Sequence, residues 1–314
     1  MRALFGRRQA LMGGLCLCCL PAALRSAAAA AGSTEMQEVA RGIHIRRGVD
    51  QDASAGNGDA IANIGFIIGR KAVLVWDPGG SLADGERLRA AVRQRTDLPI
   101  RYVVMSHVHP DHVFGAGAFL SEHPVFVGHA RLPEALRQRG EYYRRELEGI
   151  LGPGRAGPVV MPSMVVQDHA ELDLGGRTVA LTAHAAAHTD NDLSLLDGET
   201  GCLLAGDLLF VRRIPSLDGS LTGWLEELKA LEKLPAPRAV PGHGPAITDW
   251  PAAAADQQRY LHVLLSETRR AIAQGMDIAA AVASVAASER GKWTLYEDYN
   301  GHNVTEAYKE LEWE

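Results

Sequence analysis

The sequence predicts a mixed α/β fold in which sheets carry helices on their outer faces. Three observations predict it. The 314 residues are enough for one large domain or two small ones. Apolar runs of strand length occur as hairpin pairs in both halves of the chain. Each half also has a helical segment able to cover its strands, so we expect one integrated domain over residues 32–314 with C-terminal helices.

The first half begins with a hairpin signal, Gly69-Arg70-Lys71, between two apolar runs. A charged helix near its end runs into the flexible stretch Gly152-Pro153-Gly154 and is the best candidate for a pocket lid. The predicted elements, in order, are strands over 64–68 and 72–76, a helix over 82–95, a strand over 102–105, a short helix after Asp111, a strand over 124–127 and a helix over 132–148.

The second half repeats the hairpin pattern across Gly175-Gly176 and Asp197-Gly198. Its predicted elements are strand pairs over 171–174 with 178–181 and over 193–196 with 202–205, a helix over 221–234, a strand over 238–240 and a helix over 252–274. Helical stretches close the chain.

Residues 1–31 are typical of a secretory leader. They contain four arginines and no acid, an apolar stretch and an alanine run with A-x-A cleavage points. Gly6-Arg7-Arg8-Gln9 is an incomplete twin-arginine match, so Tat-like and Sec export both remain open, and an N-terminal membrane anchor is the competing interpretation. We expect a periplasmic protein without stable membrane insertion after leader removal.

Loss of this leader leaves 28 basic and 38 acidic residues, a formal net charge of −10. An acidic surface disfavours nucleic acids as partners and leaves a small molecule as the expected substrate. Only Cys202 would remain of the cysteines, so no internal disulfide forms, and we expect this residue to be a buried apolar filler.

Ser106-His107-Val108-His109-Pro110-Asp111-His112 follows a predicted buried strand and predicts a metal site. Residues two apart never share a helix face, and Pro110 removes a backbone donor, so His107 and His109 must project from an irregular turn. The zinc-protease pattern of two histidines four apart on a helix is thereby excluded. Nitrogen and oxygen donors crowded on one short loop would repel each other without a cation.

Three further loops supply donors where apolar strands end. His188 follows the strand over 178–181, Asp207 follows a strand that finishes at Gly206, and His243 stands between glycines and prolines. Asp190 and Asp192 follow His188 too closely to bridge metals. The other histidines are assigned to structure or surface: His44, His123, His129, His169, His184, His262 and His302.

In their joint order these motifs resemble the metallo-β-lactamase fold superfamily: HxHxDH, a His before Thr, Gly-Asp and Gly-His. The resemblance implies a four-layer αββα sandwich with metals at one sheet edge. It implies that His107, His109 and His188 bind a first metal, that Asp111, His112 and His243 bind a second, and that Asp207 bridges them.

The implied chemistry is hydrolysis. Two cations lower the pKa of a bridging water toward ~7, so that a hydroxide nucleophile forms at neutral pH. Asp111 and Asp207 are the expected catalytic acids, Asp111 by orienting the hydroxide. A donor set of imidazoles and carboxylates without thiolate suits two zinc ions best, with iron or manganese as alternatives.

The runs Asn63-Ile64-Gly65-Phe66, Gly140-Glu141-Tyr142-Tyr143 and residues 206–220 look like the exported quinoprotein relay system zinc metallohydrolases. That group is named for its neighbourhood with pyrroloquinoline quinone dehydrogenases, so such a periplasmic dehydrogenase is the implied partner. We expect the loop with Arg212, Arg213, Ser216 and Asp218 to reach a substrate carboxylate or sulfonate; solvated side chains or an ion pair are the alternative. Tyr142 and Tyr143 either wall the pocket or pack on a helix face.

The sequence therefore predicts an exported dinuclear zinc hydrolase of a small ester, thioester or lactone-like bond. A β-lactamase is disfavoured, because superfamily members of that activity typically lack the acid found at Asp207. A mononuclear iron dioxygenase of sulfur compounds and a non-catalytic, metal-dependent partner of a quinoprotein are also compatible with the sequence.

Overall fold

Two sheets packed face to face form the centre of the molecule in the computed structural model, which describes residues 35–314. The predicted leader lies outside the described residues. The first sheet has seven strands in chain order: β1 (Met36–Ala40), β2 (Ile43–Arg46), β3 (Ile64–Ile68), β4 (Val73–Trp76), β5 (Ile100–Val104), β6 (Val125–His129) and β7 (Met164–Val166). Neighbours from β1 to β4 are antiparallel, and those from β4 to β7 are parallel.

The second sheet has six strands, and its neighbouring strands are likewise consecutive in the chain. They are β8 (His169–Asp173), β9 (Thr178–Ala183), β10 (Leu193–Asp197), β11 (Cys202–Phe210), β12 (Arg238–His243) and β13 (Thr248–Asp249). β11 and β12 are parallel, and the other neighbouring pairs are antiparallel.

Helices cover the outer face of each sheet. They are α1 (Leu82–Arg93), α2 (Pro110–Val113), α3 (Leu132–Leu151), α4 (Leu221–Leu231), α5 (Ala255–Ala273), α6 (Ile278–Ser284) and α7 (Tyr296–Leu311). Short 3₁₀ helices lie at Phe114–Glu122, Ala252–Ala254 and Ala287–Glu289. No helix within residues 35–314 combines the length and apolar character needed to cross a bilayer.

Alternation along the central strands creates the layers. Val103 of β5 joins the outer core under α1 and α3, whereas its neighbour Val104 joins the core between the sheets. In β11, Leu204 lies in the same core between the sheets as Val104. Its neighbour Leu203 packs on the outer side with the helices α4, α5 and α7. A strand points successive side chains to opposite faces, so a continuous apolar run buries both. The predicted mixed α/β fold, a four-layer αββα sandwich, is confirmed.

Several element boundaries differ from the prediction. β1, β2, β7 and β13 were absent from it, and the strand expected to finish at Gly206 continues to Phe210. Gly206 has φ +55°, and the pairing of β11 with β12 shifts register there. The chain therefore bulges at Gly206 and resumes its pairing beyond it, so Asp207 lies within β11 rather than in a loop.

Candidate metal centre

Four of the predicted ligands form a first cluster, in which one donor atom of each residue lies within 4.8 Å of the others: His107, His109, His188 and Asp207. His109 Nδ1 is 3.0 Å from His107 Nε2 and 2.9 Å from His188 Nε2. Asp207 Oδ2 is 3.4 Å from His188 Nε2. Three ring nitrogens and one carboxylate oxygen thus surround a single point.

The other three predicted ligands, Asp111, His112 and His243, form a second cluster. Asp111 Oδ2 is 3.3 Å from His112 Nε2 and 3.2 Å from His243 Nε2. Asp207 also reaches this cluster, with Oδ1 3.1 Å from His112 Nε2 and Oδ2 3.3 Å from His243 Nε2. The carboxylate of Asp207 therefore lies between the two clusters.

Local backbone geometry places these side chains. His109 is extended and precedes Pro110, which begins α2, so two histidines leave an extended turn while Asp111 and His112 start the helix. Glycines make room for Asp207. A Cβ at Gly242 would lie 1.8 Å from Asp207 Oδ1, so only glycine fits beside that carboxylate.

Each histidine has its outer ring nitrogen bound to an acceptor, which leaves the inner nitrogen facing the cluster. His188 Nδ1 donates to the Ser216 carbonyl (2.6 Å) and His243 Nδ1 to the Ile61 carbonyl (3.1 Å). The other three outer contacts are His107 Nδ1 with Ser106 Oγ (3.0 Å), His109 Nε2 with Asp218 Oδ2 (3.2 Å) and His112 Nδ1 with Asp77 Oδ2 (2.8 Å). Such outer contacts fix the tautomer and orientation of metal-binding imidazoles.

Asp77 is a site residue that the sequence motifs did not reveal. It is fully buried and accepts hydrogen bonds from the Ser106 amide (2.7 Å) and the Ser106 hydroxyl (3.0 Å) as well as from His112. Its position after β4, beside the end of the parallel strand β5, is the signal that could have revealed it.

The electrostatics of the protein without a cation show why one is expected here. Burial lowers the pKa of His107 well below its usual value and that of His188 to about 3, so both rings are neutral. Burial alone would lower the pKa of His112, but the carboxylates of Asp111, Asp207 and Asp77 raise it well above its ordinary value. A divalent cation would replace that proton as the counter-charge.

The donor set fits a divalent cation. His112 Nε2 and Asp207 Oδ1 are buried and lack a hydrogen-bond partner among the described residues, although they lie 3.1 Å apart. A buried polar atom without a partner is costly, and a bound ion would satisfy both. The fold and these clusters together indicate a divalent metal site, for which nitrogen and oxygen donors are typical of zinc.

A pocket of about 610 Å³ opens onto both clusters. Arg213, Ser216 and Asp218 line it, as does Tyr143, whereas Arg212 does not. Tyr142 is 54% exposed. Sequence reasoning did not assign five polar residues to this pocket, which come from three distant segments: Asp52, Asp59, Glu146, Tyr299 and His302. A second cavity, about 410 Å³, surrounds the Arg46–Asp84 ion pair, and none of the seven clustered residues lines it.

The remaining predicted positions have structural surroundings. Asp192 accepts from the amide (2.8 Å) and hydroxyl (2.6 Å) of Thr189 and so holds the loop that carries His188. Asp190 accepts from Asn191. Cys202 is buried between the sheets, and burial raises the pKa of its thiol to about 12.

Comparisons with known proteins agree with this fold. A family model described as the metallo-beta-lactamase superfamily matches residues 57–243. The linear primary-alkylsulfatase of Pseudomonas sp. (strain ATCC 19151) is 22% identical over 213 residues, or 56% of this chain. The chain spans about two fifths of the length of that curated relative, because the match covers 40% of it.

Solved structures resemble the sandwich at low identity. The metallo-beta-lactamase from Pontibacter korlensis superposes with a TM-score of 0.60 at 16% identity, covering 73% of this chain and 98% of that one. The metallo-beta-lactamase IND-7 superposes with a TM-score of 0.58 at 16% identity, covering 73% of this chain and 97% of that one. The family model spans more than half of the sequence, and so the chain belongs to the metallo-beta-lactamase superfamily.

Proposed function

We propose that this protein is a dinuclear zinc hydrolase that cleaves a small ester, thioester or lactone-like bond. The observation that carries the proposal is the position of Asp207, whose carboxylate approaches ring nitrogens of both clusters at 3.1 to 3.4 Å. A carboxylate shared in this way is suited to hold two cations close together.

Two bound zinc ions would supply Lewis acidity and a nucleophilic water at neutral pH. The residues of the chain hold and orient the site. Asp111 lies within reach of His112 and His243 and lines the pocket, so its carboxylate could accept a hydrogen bond from a water between the clusters.

A sulfate ester is the second candidate for the scissile bond. It is supported by the match to the linear primary-alkylsulfatase over 56% of this chain. We also propose that the protein is exported and that it acts with a periplasmic quinoprotein dehydrogenase. These two proposals rest on the composition of residues 1–31 and on the likeness of residues 206–220 to the quinoprotein relay group.

A substrate panel tests the proposed function. Zinc-loaded protein is assayed with thioesters, lactones, carboxylic esters, aryl and alkyl sulfates and nitrocefin, beside Asp207→Ala and a matched control, Asp190→Ala. We expect turnover of an acyl substrate, a loss of at least about 100-fold in Asp207→Ala and little change in Asp190→Ala. Equal loss in both variants, or no turnover of any acyl or sulfate ester, would contradict the proposal.

A further inference from the structure

The wall of the pocket away from the metal clusters is largely apolar. Helix α3 contributes Tyr143, Leu147 and Ile150, and the long loop between β2 and β3 contributes Ala53 and Ile61. A substrate whose reacting bond lies at the clusters would place its remaining part against this wall. The polarity and charge of this wall therefore help to determine which substrates the pocket accepts.

Arg213 is the one arginine or lysine among the described residues lining this pocket, and its charge is already balanced. Its Nη2 is 3.3 Å from Asp52 Oδ1 and 3.0 Å from the Tyr299 hydroxyl, while Nη1 donates to the Gln51 carbonyl at 3.1 Å. The side chain is 5% exposed, against 48% for Asp52. This guanidinium is fixed as part of the wall, with its donors committed to protein partners.

Arg139, just behind the wall, is neutralised as well. It forms an ion pair with Asp218, whose carboxylate also accepts from His109 Nε2. Glu146 differs from all of these groups. It lines the pocket from the exposed side of α3 and has no ion-pair or hydrogen-bond partner within residues 35–314. The unreactive part of a substrate thus meets apolar groups, neutralised arginines and the unpaired carboxyl groups of Glu146 and Asp59, of which Asp59 is buried.

We propose that the part of the substrate remote from the reacting bond is apolar and uncharged. We propose further that Asp52 and Glu146 select against substrates with an anionic group in that part. The proposal rests on the proposed hydrolase function and narrows its substrate class. An added carboxylate would be repelled by Glu146 and would find Arg213 occupied by Asp52. Repulsion between unit charges a few ångströms apart near a protein surface corresponds to about a tenfold effect or more.

A matched ester pair tests the inference. 4-Nitrophenyl butyrate and 4-nitrophenyl hemisuccinate share a leaving group and differ by a terminal carboxylate. After subtraction of the rate at which each ester releases 4-nitrophenolate without the protein, we expect kcat/KM to be about tenfold or more higher for the butyrate. Asp52→Asn and Glu146→Gln should each raise the ratio of kcat/KM for the hemisuccinate to that for the butyrate about threefold to tenfold. Glu171→Gln, an equal charge change on the exposed face of β8, is the control and should change neither.

Binding of the corresponding anilides provides a readout that does not depend on turnover. Calorimetry should give a lower Kd for 4-nitrobutyranilide than for 4-nitrosuccinanilate, with the difference reduced in Asp52→Asn and Glu146→Gln. Equal kcat/KM for the two esters, tighter binding of the anionic anilide, binding of neither anilide, or equal effects of Glu146→Gln and Glu171→Gln would overturn the inference. If no substrate of the earlier panel and neither ester is hydrolysed but the neutral anilide binds more tightly, the hydrolase proposal fails and the charge selection stands.

Discussion

Asp77 positions ligand side chains of the metal centre without itself facing a cluster. Its two oxygens accept three hydrogen bonds, two from Ser106 and one from His112, and Ser106 in turn contacts His107. Burial raises the pKa of Asp77, and the nearby His112 opposes that rise. One buried carboxylate thus orients a ligand in each cluster.

Substitution Asp77→Asn tests this role. An amide accepts through one atom only, so either the contact with His112 or one with Ser106 is lost. We expect zinc affinity to fall by about 10- to 100-fold, measured by competition with a chromophoric chelator, while circular dichroism stays unchanged. Asp190→Asn, on the loop after His188, is the control. Unchanged zinc affinity in Asp77→Asn would remove Asp77 from this role.

The seven clustered side chains could be named from sequence because each stands in a short, spaced motif. Asp77 could not, because an acid before Pro-Gly-Gly is also typical of an ordinary turn. Tyr299 and His302 were missed for another reason. They line the same pocket as Ser216 although they lie more than 80 residues after it in the sequence, and no local pattern encodes such a tertiary contact.

A buried arginine links the two sheets. Arg177, between β8 and β9, binds Asp197 of β10 at 2.8 and 3.0 Å and also donates to the carbonyls of Ile68 in β3 and of Arg41 in the turn between β1 and β2. Burial alone would raise the pKa of Asp197, but hydrogen bonds from Arg177 and Thr200 lower it below its ordinary value. The stabilisation by this carboxylate is therefore present above its unfolded pKa of about 3.9 and is lost as the pH falls through the lower folded value.

Arg177→Met leaves that carboxylate buried without its partner. We expect the free energy of unfolding to fall by about 3 to 5 kcal/mol at pH 7, measured by urea denaturation. The double variant Arg177→Met, Asp197→Leu removes the unpaired charge and should recover most of the loss. A single variant as stable as the unmodified protein would contradict this account of the sheet contact.

Strong apolar runs made most central strands predictable, whereas the edge strands β1 and β7 were missed. Val39 is the one buried residue of β1, and β7 has three residues, so neither shows the pattern of a buried strand. The continuation of β11 past Gly206 was missed because a glycine after an apolar run also predicts a strand end. A bulge there depends on the pairing with β12.

At the scale of the whole molecule, the C-terminal helices support the metal centre from outside the region that the family model matches. Asn303 of α7 accepts from the Leu217 amide (2.9 Å) and donates to the Pro215 carbonyl (2.7 Å). Between them lies Ser216, whose carbonyl binds His188. The helical C-terminus was predicted, but this connection was not, because it joins segments that are distant in sequence.

Asn303→Ala should therefore weaken both stability and metal binding. Loss of its buried hydrogen bonds is expected to cost about 2 to 4 kcal/mol of unfolding free energy, and the freed loop should lower zinc affinity. Denaturation and chelator competition measure the two effects. Thr305→Ala, whose hydroxyl bonds only within α7, is the control. Wild-type zinc affinity in Asn303→Ala would show that α7 does not support the centre.

We propose that seven side chains from four segments of the chain hold a pair of cations. The metal content of the folded protein tests this: metal-free protein is loaded with zinc, desalted and analysed by mass spectrometry against a protein concentration from amino-acid analysis. We expect close to two zinc ions per chain, with fewer in Asp207→Ala and no change in Asp190→Ala. A content of one ion or none per chain, with Asp207→Ala equal to the unmodified protein, would contradict it.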